Sequence, residues 1–251
     1  MTSSVLLAFL FLLLFLGLLL FFSARVGRGQ KPSLRRIQAF EAVKGFAGRA
    51  VEAGRALHLS LGTGSVADIT TADSLAGLYT LDYLAEQSAT TGISPIVSMA
   101  DPTVMLMAQN TVRSAYGSDK AKAAEAYRDI RWIAPQPAAY AAGVMNLLDM
   151  DDVETNIMIG KFGDEYLLMG ETAARRGMSH VGGTSDPNVL PFIYATAQET
   201  LLGEEIYAGG AYLQKRPLHI ASLLAQDTMR WIVGIVILAG VVATSLGIIN
   251  G

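Results

Sequence analysis

Two long uncharged segments near the ends of the chain restrict its fold more than any other feature. Val5–Ala24 holds 20 consecutive uncharged residues and Trp231–Ile249 holds 19. About 20 apolar residues in a helix cross the hydrocarbon core of a bilayer. A secretory signal would need a basic start and a shorter apolar core, yet Met1–Ser4 contains no basic residue. We therefore predict an uncleaved transmembrane anchor at residues 1–24 and a second transmembrane helix at residues 231–251.

Basic side chains lie next to both segments, on the side that faces the middle of the chain. Residues 25–36 form a basic juxtamembrane segment without any acidic residue, and Arg230 directly precedes the second apolar segment. Cytoplasmic loops of membrane proteins carry an excess of Lys and Arg. This charge pattern predicts a two-pass protein of the cell membrane, with a cytoplasmic central region and both termini outside. The lipid bilayer is therefore the first predicted partner.

The composition excludes several classes of function. The 251 residues include no cysteine, which excludes disulfides, thiolate nucleophiles and Cys-ligated zinc. The formal net charge of −3 gives no reason to expect nucleic acid as a partner. His58, His180 and His219 do not stand at metal-ligand spacing, so we predict structural or surface roles for them and no metal site. The sequence requires no cofactor and identifies none.

A recurring unit, in which a short apolar run precedes a helical pattern, predicts an α/β domain. The alternation of strands with helices is typical of βαβ units around a parallel sheet. We predict a Rossmann-like, doubly wound domain at residues 37–214, with a mainly parallel sheet of about five strands. A juxtamembrane helix at residues 215–230 is expected to follow. The five apolar runs are LHLSL, PIVSMA, IRWIA, TNIMIG and SHVGGTS.

The glycine-rich turn Gly62-Thr63-Gly64-Ser65 follows the first predicted strand and is a candidate ligand site. Ligands of open α/β sheets gather at the carboxyl ends of the strands, and a helix N-terminus offers free N–H groups to an anion. The dinucleotide fingerprint is incomplete because Ala67 stands at the third glycine position. No Lys-Ser/Thr pair follows to make a phosphate loop. Two interpretations stay open: a phosphate or nucleotide site, and a plain turn from strand to helix.

Two Asp-Pro pairs follow later predicted strands and extend the candidate site. Asp101 and Asp186 each stand where a helix is expected to begin, and an aspartate there caps free N–H groups. Capping alone explains both pairs. In a parallel sheet, however, Asp101, Thr184, Ser185 and Asp186 lie along the same edge as the glycine-rich turn. We predict that these residues and that turn hold a small polar ligand if the domain binds one.

The sequence contains no recognisable catalytic constellation. No Gly-x-Ser-x-Gly nucleophile elbow occurs, and adjacent acids such as Asp151-Asp152 are neighbours on the chain, not facing carboxylates. We therefore predict no catalytic residue and favour a self-associating structural or accessory protein, a homo-oligomer or part of a larger membrane complex. A nucleotide- or small-anion-binding sensor is the alternative. A membrane-tethered enzyme that uses the same cleft is the third hypothesis.

Longer motifs of the central region carry a resemblance to a known family. They are RALHLSLGTG, SMADPT, IAPQPAAYAAG, GKFGDEYLL and TAQETLLGEEIYAGGAYL. With these motifs the chain resembles a family of prokaryotic membrane proteins that is defined as a domain of unknown function. The resemblance covers most of residues 37–230 and implies a cytoplasmic α/β domain between two transmembrane helices. It implies no established activity, so it assigns no site residue.

Overall fold

The fold combines one sheet with helices before, between and after its strands. The computed structural model describes residues 3–29, 32, 34–117 and 119–246. The described strands are β1 (Ala56–Gly62), β2 (Ile96–Met99), β3 (Ile130–Trp132), β4 (Val153–Lys161), β5 (Ser179–Thr184) and β6 (Glu199–Leu202). The described helices are α1 (Ser3–Gly27), α2 (Gln38–Ala53), α3 (Thr71–Thr91), α4 (Pro102–Tyr116), α5 (Lys120–Ala126), α6 (Pro137–Met150), α7 (Tyr166–Arg175), α8 (Leu190–Thr196), α9 (Gly209–Tyr212) and α10 (Pro217–Ser245). Outside the described residues lie positions 1–2 and 247–251 of the two predicted spans and positions 30, 31 and 33 of the predicted basic segment.

All pairings among the described strands are parallel, and the strand order is β3-β2-β1-β4-β5-β6. The five strands predicted from the sequence are confirmed as β1–β5. The direction of winding reverses between β1 and β4, because β2 and β3 extend the sheet on one side of β1 and β4–β6 extend it on the other. This reversal places the ends of β1 and β4 side by side, with Gly62 in register with Lys161.

The prediction of about five strands misses β6. The pattern of residues 186–205 predicts one helix, but α8 covers only Leu190–Thr196 and β6 pairs with β5. The helix ends because Ala197 adopts an extended conformation, with φ −90° and ψ 142°. The four residues of β6, ETLL, include two polar ones and do not form the apolar run that marks β2. The pairing of β6 with β5 therefore decides its conformation.

Helices cover both faces of the sheet. The Ser60 hydroxyl of β1 lies 2.6 Å from the Tyr140 hydroxyl of α6. The side chain of the next residue in β1, Leu61, lies against Gly77 of α3. Successive side chains of a strand point to opposite faces, so α3 and α6 cover opposite faces. The helices α2, α3 and α4 pack in one layer and α6, α7 and α8 in the other.

The two terminal helices, α1 and α10, form a compact unit separate from Arg36–Gln214 and pack against each other. Both are long and apolar enough to span a membrane, judged by length and composition. Large apolar side chains are exposed along them, for example 71% of Leu7 and 66% of Leu238. Pro217 takes the first helical position of α10. The predicted juxtamembrane helix and second span therefore form one helix in the described residues.

Candidate functional site

Gly62 ends β1 where this strand comes closest to β4. Its φ is +80°, and the N–H of Thr63 donates to the carbonyl oxygen of Lys161 at 2.8 Å. A Cβ atom built on Gly62 would lie 2.0 Å from that same oxygen. Position 62 therefore requires glycine, because the chain turns in the left-handed region directly against the backbone of the neighbouring strand.

Gly64 and Ser65 continue the turn into a loop that is fastened to α3. A Cβ atom on Gly64 would lie 2.6 Å from Ser74 Oγ. Ser74 Oγ donates to the Ser65 carbonyl at 3.0 Å, and the Ser65 N–H donates to Thr70 Oγ1 at 2.8 Å. Because α3 begins only at Thr71, the loop separates the glycines from the helix N-terminus that the dinucleotide fingerprint places next to them. Packing accounts for both glycines.

Asp101 caps α4, as predicted. Its Oδ1 accepts the N–H of Thr103 at 2.8 Å and the N–H of Val104 at 3.2 Å. Desolvation raises the pKa of Asp101, but hydrogen bonds from Thr103, Val104 and the Ser65 hydroxyl outweigh it and hold the pKa below its ordinary value. The structure thus brings Ser65, beyond the end of β1, to Asp101, beyond the end of β2.

Asp186 does not cap a helix, contrary to the prediction, but pairs with Lys161. The N-cap position of α8 is Val189. Lys161 Nζ lies 2.5 Å from Asp186 Oδ2, and Asp186 Oδ1 accepts the N–H of Asn188 at 3.0 Å. The hydrogen bond from Lys161, followed by that from Asn188, lowers the pKa of Asp186. Asp186 is therefore a carboxylate that is oriented by two donors.

Lys161 is a site residue that the sequence pattern does not predict. The motif KFGDEYLL predicts a helix that begins near this residue, whereas β4 extends through Lys161 and ends there. One signal in the sequence marks it: among the residues that directly follow the five predicted strands, Lys161 is the basic one. Its importance depends on the reversal of winding, which places the end of β4 beside the glycine-rich turn.

Thr184 and Ser185 follow β5 into a second polar group. Thr184 is fully buried, and its Oγ1 accepts the Asp186 N–H at 3.4 Å. Ser185 hydrogen-bonds Tyr207, whose hydroxyl donates to Asp73 Oδ1 at 2.6 Å. Desolvation and the Asp73 carboxylate raise the pKa of Tyr207. Tyr207 is therefore a neutral phenol that joins β5 to the first turn of α3.

Four side chains, which we call the edge cluster, cross the reversal point: Ser65, Asp101, Lys161 and Asp186. Ser65 bonds to Asp101, Lys161 pairs with Asp186, and a Cβ on Gly64 would lie 3.0 Å from Lys161 Cβ. Ligands of open parallel sheets bind at such a point. An ammonium group has three N–H donors and the Lys161 side chain is 29% exposed, so Lys161 has donors for a ligand as well as for Asp186.

The charges at this edge differ between its two sides. Hydrogen bonds from Thr70 lower the pKa of Asp68, while the nearby charge of Asp101 opposes that shift. Within the described residues, no group of three acidic or histidine side chains is placed to hold a metal ion. The side next to β2 thus presents carboxylates, which accept hydrogen bonds from hydroxyl groups. The side next to β4 presents Lys161, which attracts an anion.

The fold and the site together define an α/β protein with one parallel sheet, joined to two terminal helices that are long and apolar enough to span a membrane. A family model matches residues 1–250, and the family is described as Domain of unknown function (DUF6754). The chain belongs to this family. No curated protein and no solved structure matches the chain.

Proposed function

We propose that the protein is a membrane-anchored sensor module that binds a nucleotide at the edge cluster. The observation that carries the proposal is the position of Lys161 at the reversal point, paired with Asp186 and still partly exposed. A nucleotide combines an anionic group with hydroxyl groups. The anionic group binds Lys161, and the hydroxyl groups donate to Asp101 on the opposite side of the glycine-rich turn.

The proposed domain is Rossmann-like and doubly wound. Support comes from the strand order β3-β2-β1-β4-β5-β6, which is the order of dinucleotide-binding sheets, and from the helices on both faces. An acidic residue that bonds to the ribose is a regular part of such sites, and Asp101 supplies one beside Ser65. The longer loop after Gly64 is a departure, so the phosphate contact is assigned to Lys161 and not to the glycines.

We further propose that α1 and α10 anchor the domain as a two-pass protein of the cell membrane, with the domain in the cytoplasm and both termini outside. The support is the position of three basic residues: Arg25 in the last turn of α1, Arg28 directly after α1, and Arg230 before the most apolar part of α10. Positive charge favours the cytoplasmic side. This orientation exposes the edge cluster to the soluble nucleotides of the cell.

Replacing Lys161 with methionine is expected to weaken nucleotide binding at least tenfold without unfolding the protein. The change keeps an unbranched side chain but removes hydrogen bonds to a charged group, each worth about 1.5–3 kcal/mol, and 1.4 kcal/mol is about a factor of ten in affinity. The measurement is a calorimetric titration of the full-length protein in detergent with ADP. The dissociation constant of the variant is compared with that of the unchanged protein.

Lys122→Met is the matched control, because Lys122 lies on α5, pairs with Asp119 and is 63% exposed. The affinity of the Lys122→Met variant for ADP is expected to equal that of the unchanged protein. The proposal fails if Lys161→Met binds ADP equally well, or if ADP at millimolar concentration produces no heat of binding. Substitution of Gly64 is a poorer probe, because a Cβ there meets Ser74 and disturbs the loop itself.

A second candidate function is self-association into a homo-oligomeric scaffold or an accessory part of a membrane complex. An apolar surface on α7 and α8 favours it. Leu167 and Leu168 of α7 and Tyr194 of α8 are 36%, 47% and 64% exposed, and the two helices pack side by side. Exposed apolar patches on folded domains mark interaction sites. A second copy of the same chain is the partner that this hypothesis names.

The double substitution Leu168→Glu with Tyr194→Ser is expected to convert an oligomer into a monomer, because it places a charge and removes apolar area within the proposed contact. The mass of the protein, extracted gently and measured by native mass spectrometry, provides the test. Leu106→Glu on α4 is the control, since Leu106 is 63% exposed in the other helix layer. A monomeric unchanged protein, or an oligomer that survives the double substitution, contradicts self-association through this surface.

A further inference from the structure

A hydrogen-bonded row of polar side chains lies inside the domain, in the middle of the sheet. It starts on α7, crosses the neighbouring strands β5, β4, β1 and β2, and reaches α6. Each member is 0% exposed. Burying a polar group is costly unless it is hydrogen-bonded, so the stability of the domain depends on every bond in the row. The members of this polar row, in order, are Tyr166, His180, Asn156, His58, Ser98, Tyr140 and Ser60.

The bonds of the polar row are continuous from one end to the other. The hydroxyls of Tyr166, at one end, and Tyr140, next to the other end, join α7 and α6 to four neighbouring strands. The distances are 3.0 Å for Tyr166 Oη–His180 Nε2, 3.2 Å for His180 Nδ1–Asn156 Nδ2, 2.6 Å for Asn156 Oδ1–His58 Nδ1, 2.9 Å for His58 Nε2–Ser98 Oγ, 3.1 Å for Ser98 Oγ–Tyr140 Oη and 2.6 Å for Tyr140 Oη–Ser60 Oγ.

Asn156 stands between the two histidines. Its side-chain oxygen faces His58 Nδ1, its side-chain nitrogen faces His180 Nδ1, and its backbone oxygen also lies 3.2 Å from His180 Nδ1. A side-chain amide has one end that accepts and one end that donates. When its oxygen accepts from His58, its nitrogen donates to His180, which must then present a lone pair. If the Asn156 amide is rotated by half a turn, His180 becomes the donor and His58 the acceptor. In either arrangement one histidine faces Asn156 with an unprotonated Nδ1 and is therefore neutral, because an imidazolium carries a proton on both nitrogens.

The surroundings of the histidines favour the neutral forms. Burial lowers the pKa of His58 and of His180 to about 4. For the pKa of His58, the hydrogen bond to Asn156 opposes this shift, the charge of His180 adds to it, and the charges of Arg131 and Asp151 have smaller, opposite effects. For the pKa of His180, a hydrogen bond to the Asn156 backbone opposes the shift. Burial also raises the pKa values of the two phenols. The charged and titratable groups around the pair are Arg131 on β3, Asp151 after α6, Tyr140 on α6 and Tyr166 on α7.

We propose that the polar row is an acid-sensitive latch that holds α6 and α7 on the sheet. With both histidines neutral, Asn156 donates to one and accepts from the other. With both protonated, Asn156 faces two N–H donors. Its side-chain oxygen accepts from one, its backbone oxygen lies within reach of His180 Nδ1, and its side-chain nitrogen is left without its acceptor inside the core. Tyr140 keeps its bonds to Ser60 and Ser98, but two positive charges are then buried beneath α6 and α7, and a buried charge without a partner is costly. The layer of α6 and α7 loosens from the strands that carry His58 and His180.

Acidification from pH 7 to pH 5 is expected to raise the unfolding equilibrium constant on the order of 100-fold. Unfolded histidine binds its proton near pH 6.5 and the folded residues do so near pH 4, so stability is lost as the pH falls through that window. Denaturant titration of the full-length protein in detergent, followed by Trp132 fluorescence in a Trp231→Phe background, measures the effect. A change in the unfolding equilibrium constant smaller than threefold overturns the proposal.

Asn156→Asp is the decisive variant, because a carboxylate accepts hydrogen bonds at both of its oxygens. The carboxylate accepts an N–H hydrogen bond from each histidine, so the polar row keeps its hydrogen bonds when both histidines are protonated. The acid effect is expected to fall below tenfold or to change sign. His219→Gln, on α10, is the control and is expected to keep the 100-fold effect. The same 100-fold loss in Asn156→Asp overturns the proposal.

His180→Gln tests the latch independently of whether Asn156→Asp folds. It removes one titrating group, so the acid effect is expected to fall from about 100-fold to about tenfold. Hydrogen exchange of the unchanged protein at pH 5, corrected for intrinsic rates, is expected to rise in residues 137–150 and 166–175 before it rises in residues 71–91. An acid effect that His180→Gln leaves unchanged, or equal exchange in the three helices, overturns the proposal.

Discussion

Replacing Gly62 with alanine is expected to destabilise the α/β domain by several kcal/mol, a large effect for one methyl group. The added Cβ would lie 2.0 Å from the carbonyl oxygen of Lys161 and 2.9 Å from its carbonyl carbon. Both are backbone atoms, so no change of rotamer relieves the contact. The φ of +80° adds about 1–2 kcal/mol for a residue with a side chain. The measurement is the free energy of unfolding of the full-length protein in detergent.

Gly54→Ala separates the two causes. Gly54 also has a positive φ, +64°, at the end of α2, but no atom lies within 4 Å of a Cβ built there. This control bears only the backbone cost, about 1–2 kcal/mol. The difference between the two variants therefore measures the contact between β1 and β4. Equal losses would contradict the close approach of these strands at the candidate site.

Replacing Gly77 with alanine is expected to destabilise the protein by about 2–3 kcal/mol, through overpacking. This is the opposite of the usual effect in a helix, where glycine is about 1 kcal/mol worse than alanine. A Cβ on Gly77 would lie 2.6 Å from the carbonyl oxygen of Ile159 and 2.8 Å from Leu61 Cδ2. To make room, α3 must move away from both β1 and β4. Denaturant titration of the full-length protein gives the change.

Gly48→Ala is the matched control, because Gly48 lies in α2, is exposed and has no atom within 4 Å of an added Cβ. There we expect the ordinary gain of helix propensity, about 0.5–1 kcal/mol. The two variants make the same chemical change, so their opposite signs isolate the packing of α3 on the sheet. A gain in stability at both positions would show that α3 does not pack closely on β1 and β4 at Gly77.

These two glycines also explain how the edge cluster is positioned. Gly62 allows the ends of β1 and β4 to touch, and Gly77 allows α3 to lie directly over the same two strands. Lys161 follows from this geometry, because its carbonyl accepts from Thr63 while its side chain pairs with Asp186. The backbone position of Lys161 is therefore set by contacts between β1 and β4, and the ion pair with Asp186 orients its side chain. Binding experiments on Lys161 leave those contacts in place, whereas substitutions of the glycines do not.

Most of the secondary structure could be predicted because its signals are local. The strands β1–β5 are short apolar runs that end at Gly, Ser, Asp or Pro, and amphipathic patterns follow them. The capping of α4 by Asp101 is equally local, since the carboxylate bonds to N–H groups two and three residues away. The strand β6 and the role of Asp186 are different. Each depends on a partner elsewhere in the chain: β5 in one case and Lys161 in the other.

The candidate site shows the same division. A parallel sheet places the ends of all its strands at one edge, so the sequence predicts Ser65, Asp101 and Asp186 at that edge without any knowledge of strand order. It does not predict Lys161, because the choice between the end of a strand and the start of a helix depends on pairing with β1. Whether these residues bind a ligand stays a prediction, and the ADP titration is its test.

The sequence by itself determined the two apolar terminal helices and the alternation of strands and helices, because length, charge and periodicity are properties of contiguous residues. Only the tertiary structure decided the strand order, the glycines that face backbone atoms, and the polar row. His58 and Asn156 are 98 positions apart and bond at 2.6 Å. Such a pair is created by the register of two parallel strands, and that register is set by the packing of the whole sheet between its helix layers.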